Sequence, residues 1–440
     1  MAQFFRTERG QRIAWYLYDF GNSAYAAVII LAIYSAYFKE GVVGGAEGSR
    51  LWGISVAIAM LVTVLISPVL GAIADRLAIK KRMLAIFTAI SVAFTGCLFF
   101  VGQGDVFAGM AFFILAEIGY RAAQVYYDAL LPEIAPRNQI GRISGRGWAI
   151  GSAGGILCLA AVLPLVVLVG GNFVLRLALA ITALWYLVFS LPLILFVREK
   201  ARPKPLAAGE SIWTIGFKQL WATLRRLRDH REYVKFMVAF IVFNDGVMIA
   251  LDFAAIIGAV LYGFERDQLI VLIIVVQATN VAGAWAFGQM TDWMSAKSAL
   301  MASLAVMFAA VLWLQFNADP AMFYVIGAVA GFAIAGLQSV SRSMVAKLVP
   351  AGRSGEFYGL FAVAGRSSSV VGPLLFGLVA ADGAAWYAGQ GVDAHAAEQA
   401  GIHLAIWLIL AFLAVGAILL TFVREDEGAA LAEASAEASA

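Results

Sequence analysis

Charge is scarce in this chain: Asp, Glu, Lys and Arg make up 13% of its 440 residues, against about 25% in an average soluble domain. Water is therefore not its main solvent. Cysteine is nearly absent, and Cys97 and Cys158 both fall inside apolar runs, which excludes a disulfide scaffold and a cysteine metal cluster and leaves packing thiols. Histidine is limited to His230, His395 and His403, without metal spacing, and they read as surface residues. No nucleophile elbow or phosphate-binding loop is present, so no catalytic residue, cofactor or metal site is expected and the chain does not read as an enzyme.

What is abundant is apolar length. Hydrophobic residues are 62% of the chain, and runs of about 20 residues, enough to cross a ~30 Å hydrocarbon layer, recur from Ala14 almost to Arg424. These runs are continuous and do not alternate, so they predict helices and not a barrel. The first run is too long for a cleaved leader and carries Asp19 and Asn22, so it reads as helix 1. Twelve spans follow: 14–38, 51–74, 83–102, 106–128, 144–169, 174–197, 234–263, 268–290, 298–316, 321–345, 355–380 and 401–423.

With the N-terminus inside, basic residues collect on one side: Arg6, Arg9 and Arg12, then Arg76, Lys80, Lys81 and Arg82, then Arg137 and Arg142, then a dense run from Arg198 to Arg231. The other side holds little beyond Lys39, Arg50 and Arg266. The positive-inside asymmetry places both termini in the cytoplasm. The expected organisation is a six-helix half at 1–197, a linker at 198–233, a second half at 234–423 and a flexible cytoplasmic tail at 424–440. Apolar and basic residues alternate through the linker, which predicts an amphipathic helix on the inner leaflet.

An internal repeat supports the halves. Gly71-Ala-Ile-Ala-Asp75-Arg76 after helix 2 matches Gly288-Gln-Met-Thr-Asp292-Trp293 after helix 8, and Pro136, Gly145 and Gly151 match Pro350, Gly359 and Gly365. The offset maps each helix onto the helix six places later, which implies two parallel halves.

Ionisable residues inside spans cost about 2.5–3.5 kcal/mol each at a helix centre, so each calls for a partner, a wet cavity or a function. Helix 4 carries Glu117, Arg121, Gln124 and Asp128 on one stripe, which must face inward. Helix 7 carries Asn244, Asp245 and Asp252; helix 1 carries Asp19, Asn22 and Tyr25; helix 10 carries Gln338 and Arg342; helix 11 carries Arg366. By depth, Glu117, Arg121, Asp245 and Arg366 are the central candidates for substrate binding or coupling. Glu117 and Arg121 also fit a static ion pair. Asp245 has no basic residue within one turn on its own helix, and reads as a group that could carry a proton.

The segment Gly71 to Arg82 resembles the loop between helices 2 and 3 of the major facilitator superfamily, with Ala78 where a glycine is usual and Ile79 where a basic residue is usual. That resemblance implies that Gly71, Asp75, Arg76 and the repeated Asp292 form a conformational latch, with Asp75 touching helix 11. Trp15-Tyr-Leu-Tyr-Asp19-Phe-Gly-Asn22-Ser-Ala-Tyr25, Asp128-Ala-Leu-Leu-Pro132-Glu133, Gly141-Arg-Ile-Ser-Gly145 with Trp148, and Gly336-Leu-Gln338-Ser-Val-Ser341-Arg342 with Glu356-Phe-Tyr-Gly359 resemble the vacuole-effluxer-like branch, named for the fungal autophagy-related vacuolar amino-acid effluxer.

The resemblance implies an all-α integral-membrane fold of twelve helices in two parallel six-helix halves, in a bacterial-type inner membrane. It implies a monomeric, alternating-access secondary transporter for a small polar solute, an amino acid or similar zwitterion first, with protons as coupling ion. Lipid and the small-molecule substrate are its expected partners, and nucleic acid is not one. A sugar, glycoside or small-peptide transporter stays open beside it, and so do a multidrug exporter and a transporter-fold sensor.

Overall fold

The computed structural model describes residues 2–5, 7–201, 203, 221, 225, 230–350 and 353–437. Among them twelve helices are long and apolar enough to cross a membrane. We number them α1 (Glu8–Val43), α2 (Gly45–Leu77), α3 (Lys80–Cys97), α4 (Val106–Ala129), α5 (Ile140–Pro164) and α6 (Asn172–Phe196). The second set is α7 (Arg231–Tyr262), α8 (Arg266–Trp293), α9 (Ala296–Phe316), α10 (Pro320–Leu348), α11 (Ser354–Gly389) and α12 (Ala394–Thr421). Each expected span has its helix; all but α4 begin ahead of the apolar window, whereas α3, α5, α6, α7 and α12 end short of it.

Local chemistry sets many ends. Thr7 accepts the Gly10 N–H at 3.1 Å to start α1, Ser295 accepts from Ser298 at 3.0 Å to start α9, and Asp319 caps α10 just before Pro320. Glu265 and Gln268 form a reciprocal capping box at α8. Each arrangement satisfies an N–H that the helix itself cannot. α2 closes on Ala78 at φ 52°, a left-handed conformation in which an L side chain is crowded.

α1 is not uniform. It is α-helical to Ala24 and widens to a π-helix over Tyr25–Ala32 and again over Tyr37–Val43. Wide turns of this kind are rare and concentrate where side chains are aimed for a purpose.

The chain divides into two compact units, Met1–Arg225 with Pro350–Ala362, and Arg226–Val349 with Val363–Ala440. α11 thus begins in the first unit and continues in the second. Inside unit 1, α5 lies hard against α1: a Cβ on Gly154 would collide with the Phe20 carbonyl, and one on Gly151 would sit 2.7 Å from the Asp19 carboxyl carbon. Inside unit 2, Gly283 and Gly331 bring α8 and α10 into similar backbone contact. Small residues at such crossings replace the hydrophobic drive that lipid removes.

Large apolar side chains such as Leu65, Phe107, Ile274 and Phe316 are exposed, as lipid-facing surfaces require. Cys158 is buried and Cys97 half-buried, both as free thiols.

Two expectations are altered. The tail is not loose where it starts: Glu425–Glu437 is a helix, α13, docked because the Glu425 carboxylate accepts the Ala296 and Lys297 N–H groups. His230 is buried rather than on the surface, since it sits at the start of α7. The expected amphipathic linker helix lies largely outside the described residues.

Candidate functional site

Unit 1 gathers most of the predicted polar residues around the α4 stripe. Arg121 donates Nε–H to Glu117 Oε1 at 2.6 Å, the pair that a spacing of four on one helix brings together. The guanidinium also lies 5.4 Å from the centre of the Tyr120 ring. Tyr120 stacks on Tyr25 of α1, centroids 4.6 Å apart, and accepts from Gln124 Nε2 at 3.0 Å.

Three polar atoms in this cluster lack a hydrogen-bond partner: Asn22 Nδ2, the Tyr25 hydroxyl and Glu117 Oε2. Their residues are at most 2% exposed, and Tyr25 faces Glu117 across the gap between α1 and α4. A buried polar group left without a partner costs about 1–3 kcal/mol, and Tyr25 and Glu117 lie near enough to act on each other. Arg121 is the accessible member, its side chain 25% exposed. Asp19 is buried one turn before Asn22, against Gly151.

A second polar group in unit 1 surrounds Asp75. Its carboxylate accepts the backbone N–H groups of Gly355 and Glu356, at 3.0 and 2.7 Å, capping the first turn of α11. Lys80 reaches Asp75 at 3.1 Å and Glu133 at 2.6 Å. Gly71 and Gly355 meet backbone to backbone, and a Cβ on Gly359 would lie 2.9 Å from Pro68. Ser354 Oγ donates to the Ala129 carbonyl at 2.8 Å. Arg76 is half-buried near the end of α2.

Unit 2 holds a chain of contacts among α7, α10 and α11. Gln338 donates to Asn244 Oδ1 at 3.1 Å, Asn244 Nδ2 donates to the Gly365 carbonyl at 3.4 Å, and Asp245 accepts the Gly372 N–H at 2.9 Å. Arg342 is buried on α10, Asp292 half-buried on α8 and Asp252 exposed. Arg366 lies on α11, but its side chain is outside the described residues. An apolar cavity of about 70 Å³ lies elsewhere in the unit, lined by Leu251, Ile257, Met307 and Phe323 among others.

Sequence reasoning missed Glu199 and Glu425. Glu199 accepts the Lys80 and Lys81 N–H groups at the start of α3, at 3.1 and 3.3 Å. Glu425 does the same at the start of α9 and also takes Lys347 Nζ at 2.8 Å. The signal was available: Phe196-Val-Arg-Glu199 recurs as Phe422-Val-Arg-Glu425. Burial, and after it the charge of Glu133, push the Glu199 carboxyl above its ordinary range, against the lowering effect of its backbone donors.

The sequence signature of the family described as "vacuole effluxer Atg22 like" matches residues 51–432. An MFS-type transporter of Bacillus subtilis (strain 168), named YxiO and described as uncharacterized, is 26% identical over 94% of this chain and 95% of its own length. Autophagy-related protein 22-1 of Penicillium rubens is 27% identical over 54% of this chain, which spans 44% of that longer relative.

Among solved structures, the human organic anion transporter MFSD10 superposes with a TM-score of 0.71 at 14% identity, covering 94% of this chain and 99% of its own. The proton:xylose symporter XylE does so at 0.67 and 16%, covering 99% and 98%. At that identity the likeness concerns the fold alone: all-α, twelve membrane-spanning helices, the major facilitator fold. The chain is therefore an integral-membrane MFS-type transporter, not an enzyme, and belongs to the vacuole effluxer Atg22-like family.

Proposed function

We propose that the chain is a proton-coupled secondary transporter of an α-amino acid or similar zwitterion, working by alternating access as a monomer in a bacterial-type inner membrane. Both termini then lie in the cytoplasm, on the side where basic residues accumulate.

The observation that carries this reading is the set of unpartnered atoms on Asn22, Tyr25 and Glu117 beside the accessible Arg121. A zwitterion needs a cation and N–H donors for its carboxylate, which Arg121 and Asn22 supply, and an anion for its ammonium, which Asp19 supplies. With no ligand bound, Glu117 and Arg121 neutralise each other. Protonating Glu117 removes its charge and frees Arg121 for the solute, which links proton and solute movement at one pair. Gln124, Gln338, Arg342 and Arg366 complete the proposed substrate and coupling set. Asp75 with Gly71, and Arg76 and Asp292, form the proposed latch.

One observation favours a second reading, a sugar or glycoside: the stacked Tyr25–Tyr120 pair beside Gln124 offers a ring platform with a neutral hydrogen-bonding group. Counterflow in proteoliposomes separates the two. Exchange of a labelled amino acid, abolished by Arg121→Ala, is the expected result; no counterflow of any amino acid from a full panel, with exchange of a sugar instead, overturns it.

A further inference from the structure

α7 grips α11 at two points seven residues apart, and both grips are on main-chain atoms. The Asn244 amide donates to the Gly365 carbonyl, and Asp245 accepts the Gly372 N–H. In an unbroken helix those groups belong to the i to i−4 ladder. A side chain that claims a mid-helix N–H does so most readily where the ladder is already weak.

Pro373 weakens it here. Proline brings no N–H, and its ring presses on the carbonyl four residues earlier. Gly372, beside it, lets the carboxylate approach: a Cβ there would lie 2.9 Å from Asp245 Oδ1 and 3.0 Å from the Asp245 carbonyl oxygen. Asn244 and Asp245 are only 2% and 4% exposed, so the N–H group and the carboxylate answer each other away from water. Gln338 fixes the Asn244 amide from α10.

A separate observation places this double grip. α11 belongs to unit 1 through Ala362 and to unit 2 from Val363, two residues before Gly365. Its first turn is pinned in unit 1 by Asp75 and Ser354, and the rest is held in unit 2 by Asn244 and Asp245.

We propose that residues 363–373 of α11 are a hinge, and that Asp245 and Asn244 are positioning residues that hold it in one geometry. Asp245 acts by accepting a main-chain N–H beside Pro373. The hinge lets the membrane-spanning part of α11 change direction while its first turns stay attached to unit 1.

Hydrogen–deuterium exchange of the full-length protein in nanodiscs tests this without knowledge of the substrate. Asp245→Ala and Gly372→Ala should each raise exchange in peptides covering 363–376 by about tenfold or more, the factor expected for losing one charged hydrogen bond. Peptides of α9 and α12 should stay unchanged. Asp245→Asn keeps an acceptor oxygen and should stay within about threefold of the parent protein. Adding Pro373→Ala to either destabilised variant should restore protection by rebuilding the ladder.

The proposal is overturned by unchanged exchange at 363–376, by an equal rise throughout unit 2, by Asp245→Asn matching Asp245→Ala, or by Pro373→Ala giving no rescue. Gly372→Ala keeps the test decisive if Asp245→Ala does not fold.

Discussion

The carboxylate of Glu425 closes on the Lys297 N–H at 2.7 Å, repeating in unit 2 what Glu199 does for Lys80 in unit 1. An anion at a helix start satisfies free N–H groups and meets the positive end of the helix dipole. Glu425 also holds Lys347. Glu425→Ala should therefore cost about 1–3 kcal/mol and lower the thermal unfolding midpoint, and proteolysis of α13 should accelerate. An unchanged midpoint would show the cap to be idle.

Lys80 bridges Asp75 and Glu133, and it is fully buried. Lys80→Met removes it while leaving both carboxylates in place. Breaking a buried charge cluster in this way costs roughly 3–5 kcal/mol. The variant should express poorly or melt far below the parent in detergent, and the double variant Lys80→Met, Glu133→Gln should recover part of the loss.

Ala78 ends α2 at φ 52°, where the usual residue of the resembling loop is glycine. Replacing it by glycine relieves about 1–2 kcal/mol of backbone crowding and gives back part of that as unfolded-state entropy. Ala78→Gly should raise the melting temperature slightly, and a fall in it would mean that the left-handed turn is unstrained.

The raised Glu199 carboxyl has a pH signature. A group that binds its proton more tightly when folded contributes stability that is complete below the ordinary glutamate value and is lost as pH rises through the raised value. Comparing the parent with Glu199→Gln from about pH 4 to pH 7, the parent's advantage in melting temperature should shrink as pH rises. A constant or growing advantage would contradict the shift.

Glu117→Gln removes the charge that Arg121 neutralises but keeps a hydrogen-bonding group of the same size. Uptake driven by a pH gradient should fall to background, while solute exchange without a gradient should persist. Equal loss of both activities would assign Glu117 to binding or to scaffold, and retention of gradient-driven uptake would exclude it as the coupling group.

Pairs within one helix were legible because the 3.6-residue period dictates them: Glu117 with Arg121 needed no structure. The twelve spans followed from apolar length. Contacts between helices were not legible. Asp245 reads as partnerless on its own helix, yet its donor is Gly372, 127 residues away. The facing of Tyr25 and Glu117 depends on how the wide turns of α1 rotate Tyr25, and hydropathy carries no trace of an α-to-π change. Glu199 and Glu425 were passed over despite their repeat, since charged residues just beyond a span look like ordinary interfacial anchors.

The backbone contact between Gly71 and Gly355 has an evolutionary consequence. Each glycine leaves no room for a first carbon on the other, so the two positions share a joint allowance of no side-chain atoms. Drift at either site is blocked singly, and an enlarged residue at one cannot be compensated by shrinking the other, which is already minimal. Across descendants of this chain, change should enter there only through a wholesale shift of α2 against the first turn of α11, appearing as correlated substitutions at Pro68 and Gly359 as well.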